Sequence, residues 1–240
     1  MVLVIYDLTI MSSTRINKYL TQANYCSRRQ ADKLIVAKKV RIDNRVAQLG
    51  DQVKKGERVF VDGKEIKLSQ NKTYLAFHKP VGIICTTDPK SKDNVIDYLH
   101  YPERIYPIGR LDVNSSGLIL LTNDGTIVNK ILKGRHKIEK EYLVGVDKSL
   151  TPDFINSLKK GVLMDGYKTM PAEVNRLADK EFSIVLNEGK NRQIRRMCEE
   201  FGYNVLKLKR VRIGNIELNG LSVGRYRKLE NEEIEKLLNK

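Results

Sequence analysis

Tryptophan is missing from this chain of 240 residues, and cysteine and histidine number three each. Cys26, Cys85 and Cys198 are odd in number, widely spaced and free of any C-x-x-C pair, so neither a disulfide framework nor a zinc site is indicated. His78, His100 and His136 are equally scattered, which removes the case for a histidine metal cluster. No apolar run approaches the roughly 18 residues of a membrane-spanning helix. Residues 2–6 are too short for a signal-peptide core and lack a basic flank, so a cytoplasmic, reducing location is expected. G-x-x-x-x-G-K-[ST] and G-x-G-x-x-G are absent too, and chemistry without a cofactor or metal is the expectation.

What the chain has in excess is positive charge. Lys and Arg number 44 against 29 Asp and Glu, a net of +15, while a 41% hydrophobic content is enough for one large or two modest cores. A folded protein this basic points to a polyanionic partner, nucleic acid before a membrane surface, with plain solvated charge as the alternative. The excess is concentrated: residues 15–45 hold nine basic and two acidic side chains, +7 of the total.

That basic stretch reads as a small unit. Ile16, Tyr19, Leu20 and Ala23 recur at helical spacing, and Ser27 with Gln30 three residues on is a capping-box signature for a second helix over residues 28–38. Short strands are expected at 40–42 and 58–61. The polar segment after Asp62 has no strong period and reads as a linker. Beyond it, strand signals at 74–77, 142–146, 182–186 and 205–213 alternate with helices at 126–133, 152–160 and 192–201. Thr151 as cap and Pro152 at the first helical position mark one helix start. The long, antiparallel-looking stretches argue α+β rather than a repeating βαβ fold.

One run stands apart: Gly109, Arg110, Leu111 and Asp112, closed by Gly117 and the apolar stretch Leu118, Ile119, Leu120 and Leu121. It places a carboxylate and a guanidinium on a glycine-bracketed loop feeding a buried strand, where catalytic groups tend to sit. An Asp capping a turn beside a surface Arg is the alternative for an isolated tripeptide. Three further blocks follow in order or precede it: Glu139 to Val144 around Tyr142, Glu188 to Met197 around Arg195, and the early basic unit. Together they resemble the ribosomal RNA pseudouridine synthases with an N-terminal S4 domain, the branch of the small-subunit enzyme and its large-subunit relatives. The late block and Lys209 to Gly214 look most like the RluF type, which modifies 23S ribosomal RNA.

The resemblance implies a domain order of extension (1–11), S4 RNA-binding domain (12–62), linker (63–73) and a mixed, mainly antiparallel-sheet catalytic domain (74–240). It implies that Asp112 acts on a uridine so that the bond between N1 and ribose breaks, whether by attack on the ribose, addition to the base or abstraction of a proton, that Tyr142 stacks on the flipped uracil or moves a proton at C5, and that Arg195 pairs with Asp112. Arg110 would insert where the uridine leaves the RNA. On a helix, Ile194, Met197, Cys198 and Phe201 share a face, so Arg192, Arg195 and Arg196 are expected to point away from the core, Arg192 and Arg196 toward phosphates. Arg15, Lys18, Arg28, Arg29 and Lys33 are the S4 candidates for RNA contact, with Asn24 standing where that family often has Gly. Alternation over residues 206–209 suggests a strand with a charged outer face, so Lys209 and Arg210 either track RNA or keep the protein soluble. The implied partner is a 23S stem-loop or ribosomal assembly intermediate, met by a monomer. A synthase for 16S RNA or tRNA and a non-catalytic RNA-binding assembly factor are the rival readings.

Overall fold

The computed structural model describes residues 13–68, 71–88, 90–133 and 138–239. The expected N-terminal extension, residues 1–11, lies outside them. The chain divides into two compact units between Lys72 and Thr73.

In the first unit the helices run Ile16–Gln22 and Arg28–Val36, and Ser27 Oγ accepts from the Gln30 amide at 3.2 Å. Asn24, between them, has φ +59°, a left-handed conformation that Asn tolerates, so the turn persists without glycine. Ile16, Leu20, Ala31 and Ile35 close onto Val40, Ile42, Val59 and Val61. The antiparallel sheet orders as Arg45–Val46, Val40–Ile42, Val59–Val61 and Lys64–Ile66. The last strand corrects the expected linker. Lys64–Ile66 hairpins back onto Val59–Val61 through Asp62 and Gly63, both at positive φ, and buries Ile66. Three residues are too few to show a period in sequence.

The second unit is built on a sheet ordered Glu173–Ala178, Glu181–Leu186, Lys140–Val146, Val205–Ile213, Ser116–Thr122, Tyr74–Lys79 and Tyr226–Lys228. Its described ladders are antiparallel apart from Val205–Ile213 against Ser116–Thr122. The α+β expectation holds. Ser116–Thr122 is apolar at consecutive positions because both of its faces are covered. Ile119 and Leu121 join Phe77, Val144, Phe182 and Ile184 beneath the helices Pro152–Lys160 and Gln193–Glu199. Leu118 and Leu120 join Ile127, Ile131, Ile216 and Leu237 on the other side, where Gly125–Lys133 and Asn231–Leu238 pack.

Two bulges in Val205–Ile213 decide which of its side chains face which way. Glu141 pairs with Arg212 but Tyr142 with Arg210, leaving Val211 as an extra residue; Gly145 pairs with Lys207 and Val146 with Val205, leaving Leu206. The simple alternation expected over 206–209 is therefore broken: Leu206 is 67% exposed. Bulges of this kind re-aim side chains beside active sites.

Candidate active site

Asp112 sits on a turn whose backbone is tethered at four successive residues. The Leu111 amide donates to Cys85 Sγ at 3.4 Å, and the Ser115 amide to the Asp112 carbonyl at 3.0 Å. The Gly82 amide donates to the Val113 carbonyl at 2.9 Å, and Arg195 Nη2 to the Asn114 carbonyl at 2.8 Å. The turn carrying Gly82 is itself held by Lys79, fully buried, whose Nζ donates to the carbonyls of Pro80 and Ile83 at 2.8 Å each. The main chain is fixed on every side, while among the described residues no hydrogen bond or ion pair occupies the Asp112 carboxylate.

Arg195 corrects the expectation drawn from helical periodicity. It is 8% exposed and points inward, serving the carbonyls of Asn114 and Val205 at 2.8 Å each rather than facing solvent. It makes no direct ion pair with Asp112 among the described residues. The two charges still meet: burial and Arg192 lower the Arg195 pKa, and the Asp112 charge pulls it back up. Burial likewise lowers Lys79, and Cys85 and Asp112 oppose it. Asp112 thus lies within electrostatic reach of two buried cations, neither of which forms an ion pair among the described residues.

Arg192 and Arg196 lie further out. Arg192 precedes the helix Gln193–Glu199 with φ +49° and pairs with Glu199 at 3.6 Å, and Arg196 pairs with Asp165. The helix begins one residue later than expected because Arg192 has left-handed dihedrals. Ahead of it, Glu188 accepts from Tyr167 Oη, the Met170 amide and Gln193 Nε2, which fixes the loop of residues 187–192.

A cavity of about 500 Å³ opens between this loop, the Asp112 turn and the sheet. Arg110, Asp112, Ser115, Lys140, Tyr142, Arg192 and Arg210 all contribute to its wall; Arg195 stands one layer behind. The volume falls within the range of small-ligand pockets. Arg210 and Tyr142 of its wall end a row of neighbours that crosses four paired strands, Lys79, Gly117, Arg210 and Tyr142. Gly117 has φ +112°, and a Cβ there would meet the Arg210 carbonyl oxygen at 2.1 Å. Only glycine lets the two strands approach here.

Arg210, grouped by sequence with Lys209 as a surface residue, is 4% exposed and inside the cavity, its guanidinium 5.9 Å from the Tyr142 ring centroid. The extra residue Val211 turns Arg210 rather than Lys209 onto Tyr142's face. Lys209 is half-buried. Arg110, Arg15, Arg28, Arg29 and Lys33 are exposed and Lys18 is half-buried. Sequence reasoning passed over Lys79, Ser115 and Lys140. The one legible signal was for Lys140, which stands two residues before Tyr142 and so shares its strand face.

Known proteins resemble the chain over both of its units. A family model described as RNA pseudouridylate synthase matches residues 73–200, and an S4 domain model matches residues 14–59. The dual-specificity RNA pseudouridine synthase RluF of Escherichia coli K12 is 46% identical over 225 residues, 93% of this chain and 78% of the relative. Ribosomal large subunit pseudouridine synthase B of Bacillus subtilis is 36% identical over 232 residues, 93% of this chain and 95% of the relative. A crystal structure of a pseudouridylate synthase superposes with a TM-score of 0.69 at 29% identity, over 94% of this chain and 100% of that one. The chain therefore belongs to the RNA pseudouridine synthases, in the family of RluF and RluB, with an S4 domain ahead of the catalytic domain.

Proposed function

We propose that this RNA pseudouridine synthase isomerises a specific uridine of 23S ribosomal RNA, with Asp112 as the acting carboxylate. The observation that carries the reading is the Asp112 turn: a rigidly tethered backbone, an unengaged carboxylate, and a cavity that also holds an aromatic ring. Chemistry on a base requires it to leave the stack, and the cavity fits a base laid against Tyr142. Arg110, exposed at the mouth, takes the place vacated in the RNA, and Arg192 and Arg196 meet phosphates once RNA displaces Glu199 and Asp165 from them. Arg195 acts as a positioning residue for the Asp112 turn and lends it positive potential. Arg15, Lys18, Arg28, Arg29 and Lys33 hold the RNA through its phosphates, and Lys209 extends that surface. The large-subunit assignment is supported by the name of the Bacillus relative. The partner is a stem-loop or assembly intermediate, met by a monomer in the cytoplasm.

The test is to map pseudouridines in ribosomal and transfer RNA from a strain lacking the protein. Loss of one or two sites in 23S RNA is expected. Loss confined to 16S RNA or tRNA replaces the substrate, and no loss at all favours a non-catalytic assembly factor.

A further inference from the structure

The wall of the cavity holds two cations, Arg210 and Lys140, that the roles of Asp112 and Tyr142 leave unused. Arg210 Nε donates to the Leu118 carbonyl at 2.7 Å, while its Nη2 is buried with no acceptor among the described residues. Lys140 is half-buried on the same strand face as Tyr142, its Nζ donating to the Ile138 carbonyl at 2.8 Å. Both line the cavity that holds Asp112, and no carboxylate pairs with either among the described residues. Desolvating two neighbouring cations without a counter-charge costs folding free energy. An anion entering the cavity offsets that cost.

Uracil becomes such an anion once in the reaction. When the bond between N1 and ribose C1′ breaks, the bonding pair stays on the base, spread over O2 and O4, and C1′ is left electron-poor. The pair then forms the C5–C1′ bond, the C5 proton leaves, and N1 takes up a proton, so the product is an isomer of the substrate. We infer that Arg210 and Lys140 are further catalytic residues, which donate to the carbonyl oxygens of the detached uracil and hold its negative charge while the base turns. The inference rests on uridine isomerisation in this cavity. Donors already fixed in a shielded site act strongly on developing charge because they need not reorient.

Lys140 also supplies a pH signature. Burial first, and Arg210 second, lower its pKa to about 8. The charged and titratable groups sharing its cavity are Arg210 on the neighbouring strand, Tyr142 on its own, and Arg110 and Asp112 from the catalytic loop. Glu188, Lys190 and Arg192 face it from the rim, while Glu139 and Glu141 beside it in sequence are engaged by Arg212. Since the protonated amine is the donor, conversion falls as the pH rises through about 8.

The experiment is a single-turnover reaction of the full chain with a 23S RNA transcript, read as pseudouridine formed, and with the same transcript made with 5-fluorouridine, read as loss of its N1–C1′ linkage, since fluorine cannot leave C5 as the proton does; the fluorine makes the detached base a more stable anion. Lys140→Met removes a charge repulsion, so the variant folds; it is expected to slow uridine conversion about 100-fold, to bind RNA as before, and to lose far less on the fluorinated transcript. Arg210→Gln is expected to show the same contrast, and Lys140→Arg to remove the fall above pH 8. Equal slowing on both transcripts by Lys140→Met, or none, overturns the inference, as does an alkaline fall that persists in Lys140→Arg. Wild-type protein that converts neither transcript overturns the 23S assignment instead.

Discussion

Arg195 shows how much of this site depends on single donors. Its planar fork serves two carbonyls from opposite directions of the chain, Asn114 and Val205, and so fixes the turn that presents Asp112. Lysine keeps the charge but offers one nitrogen where Arg195 uses two, Nη1 and Nη2, for the two acceptors, and one buried carbonyl left unpaired costs about 1–3 kcal/mol. Arg195→Lys is therefore expected to lower the melting temperature and to cut kcat about 100-fold through misplacement of the carboxylate, with RNA affinity unchanged. Thermal unfolding, filter binding and single-turnover kinetics check the three parts separately. The inward aim of Arg195 was not legible in sequence. It borders the apolar stripe of Ile194 and Cys198, and only knowledge of which carbonyls approach from afar tells inward from outward.

At the level of elements, the ladder between Ser116–Thr122 and Val205–Ile213 is the critical joint, because Gly117 meets Arg210 there. Gly117→Ala introduces a Cβ into a left-handed backbone position and against a carbonyl oxygen 2.1 Å away. We expect destabilisation of at least ~2 kcal/mol in urea unfolding, together with loss of activity as Arg210 is displaced. Elements with strong local chemistry were readable in advance. Thr151 and Pro152 open the helix Pro152–Lys160 as expected, and Leu118 to Leu121 form a strand buried on both faces. The bulges at Val211 and Leu206 were not readable, since the extra residue is defined only by the partner strand. Without the partner strand, sequence gives no reason to prefer Arg210 over Lys209 for the cavity. The hairpin strand Lys64–Ile66 was missed for a related reason: pairing, not composition, makes it a strand.

Across the whole molecule, charge and chemistry are divided between the two units. The first carries +7 of the net +15 within residues 15–45, with Arg28, Arg29 and Lys33 exposed on or near one helix face. The second holds the cavity and the Asp112 turn. Replacing Arg28, Arg29 and Lys33 with Gln is expected to weaken RNA binding at all sequences alike and to flatten the slope of log affinity against log salt by about 0.7 for each phosphate no longer neutralised. Fluorescence anisotropy over a salt series reads this directly. The general class of partner was legible from composition, and the placing of Asp112 and Tyr142 on one cavity was foreshadowed by motif order, because both are properties of the chain itself.

The central claim is that Asp112 is the group without which the uridine is bound but not isomerised. Isomerisation expels the hydrogen on C5, so tritium release from RNA carrying 5-tritiated uridine counts turnovers without knowing the target in advance. Wild-type protein is expected to release tritium to a stoichiometric plateau, and Asp112→Asn to bind the same RNA with equal affinity and release none. Release by Asp112→Asn at the wild-type rate would contradict the account.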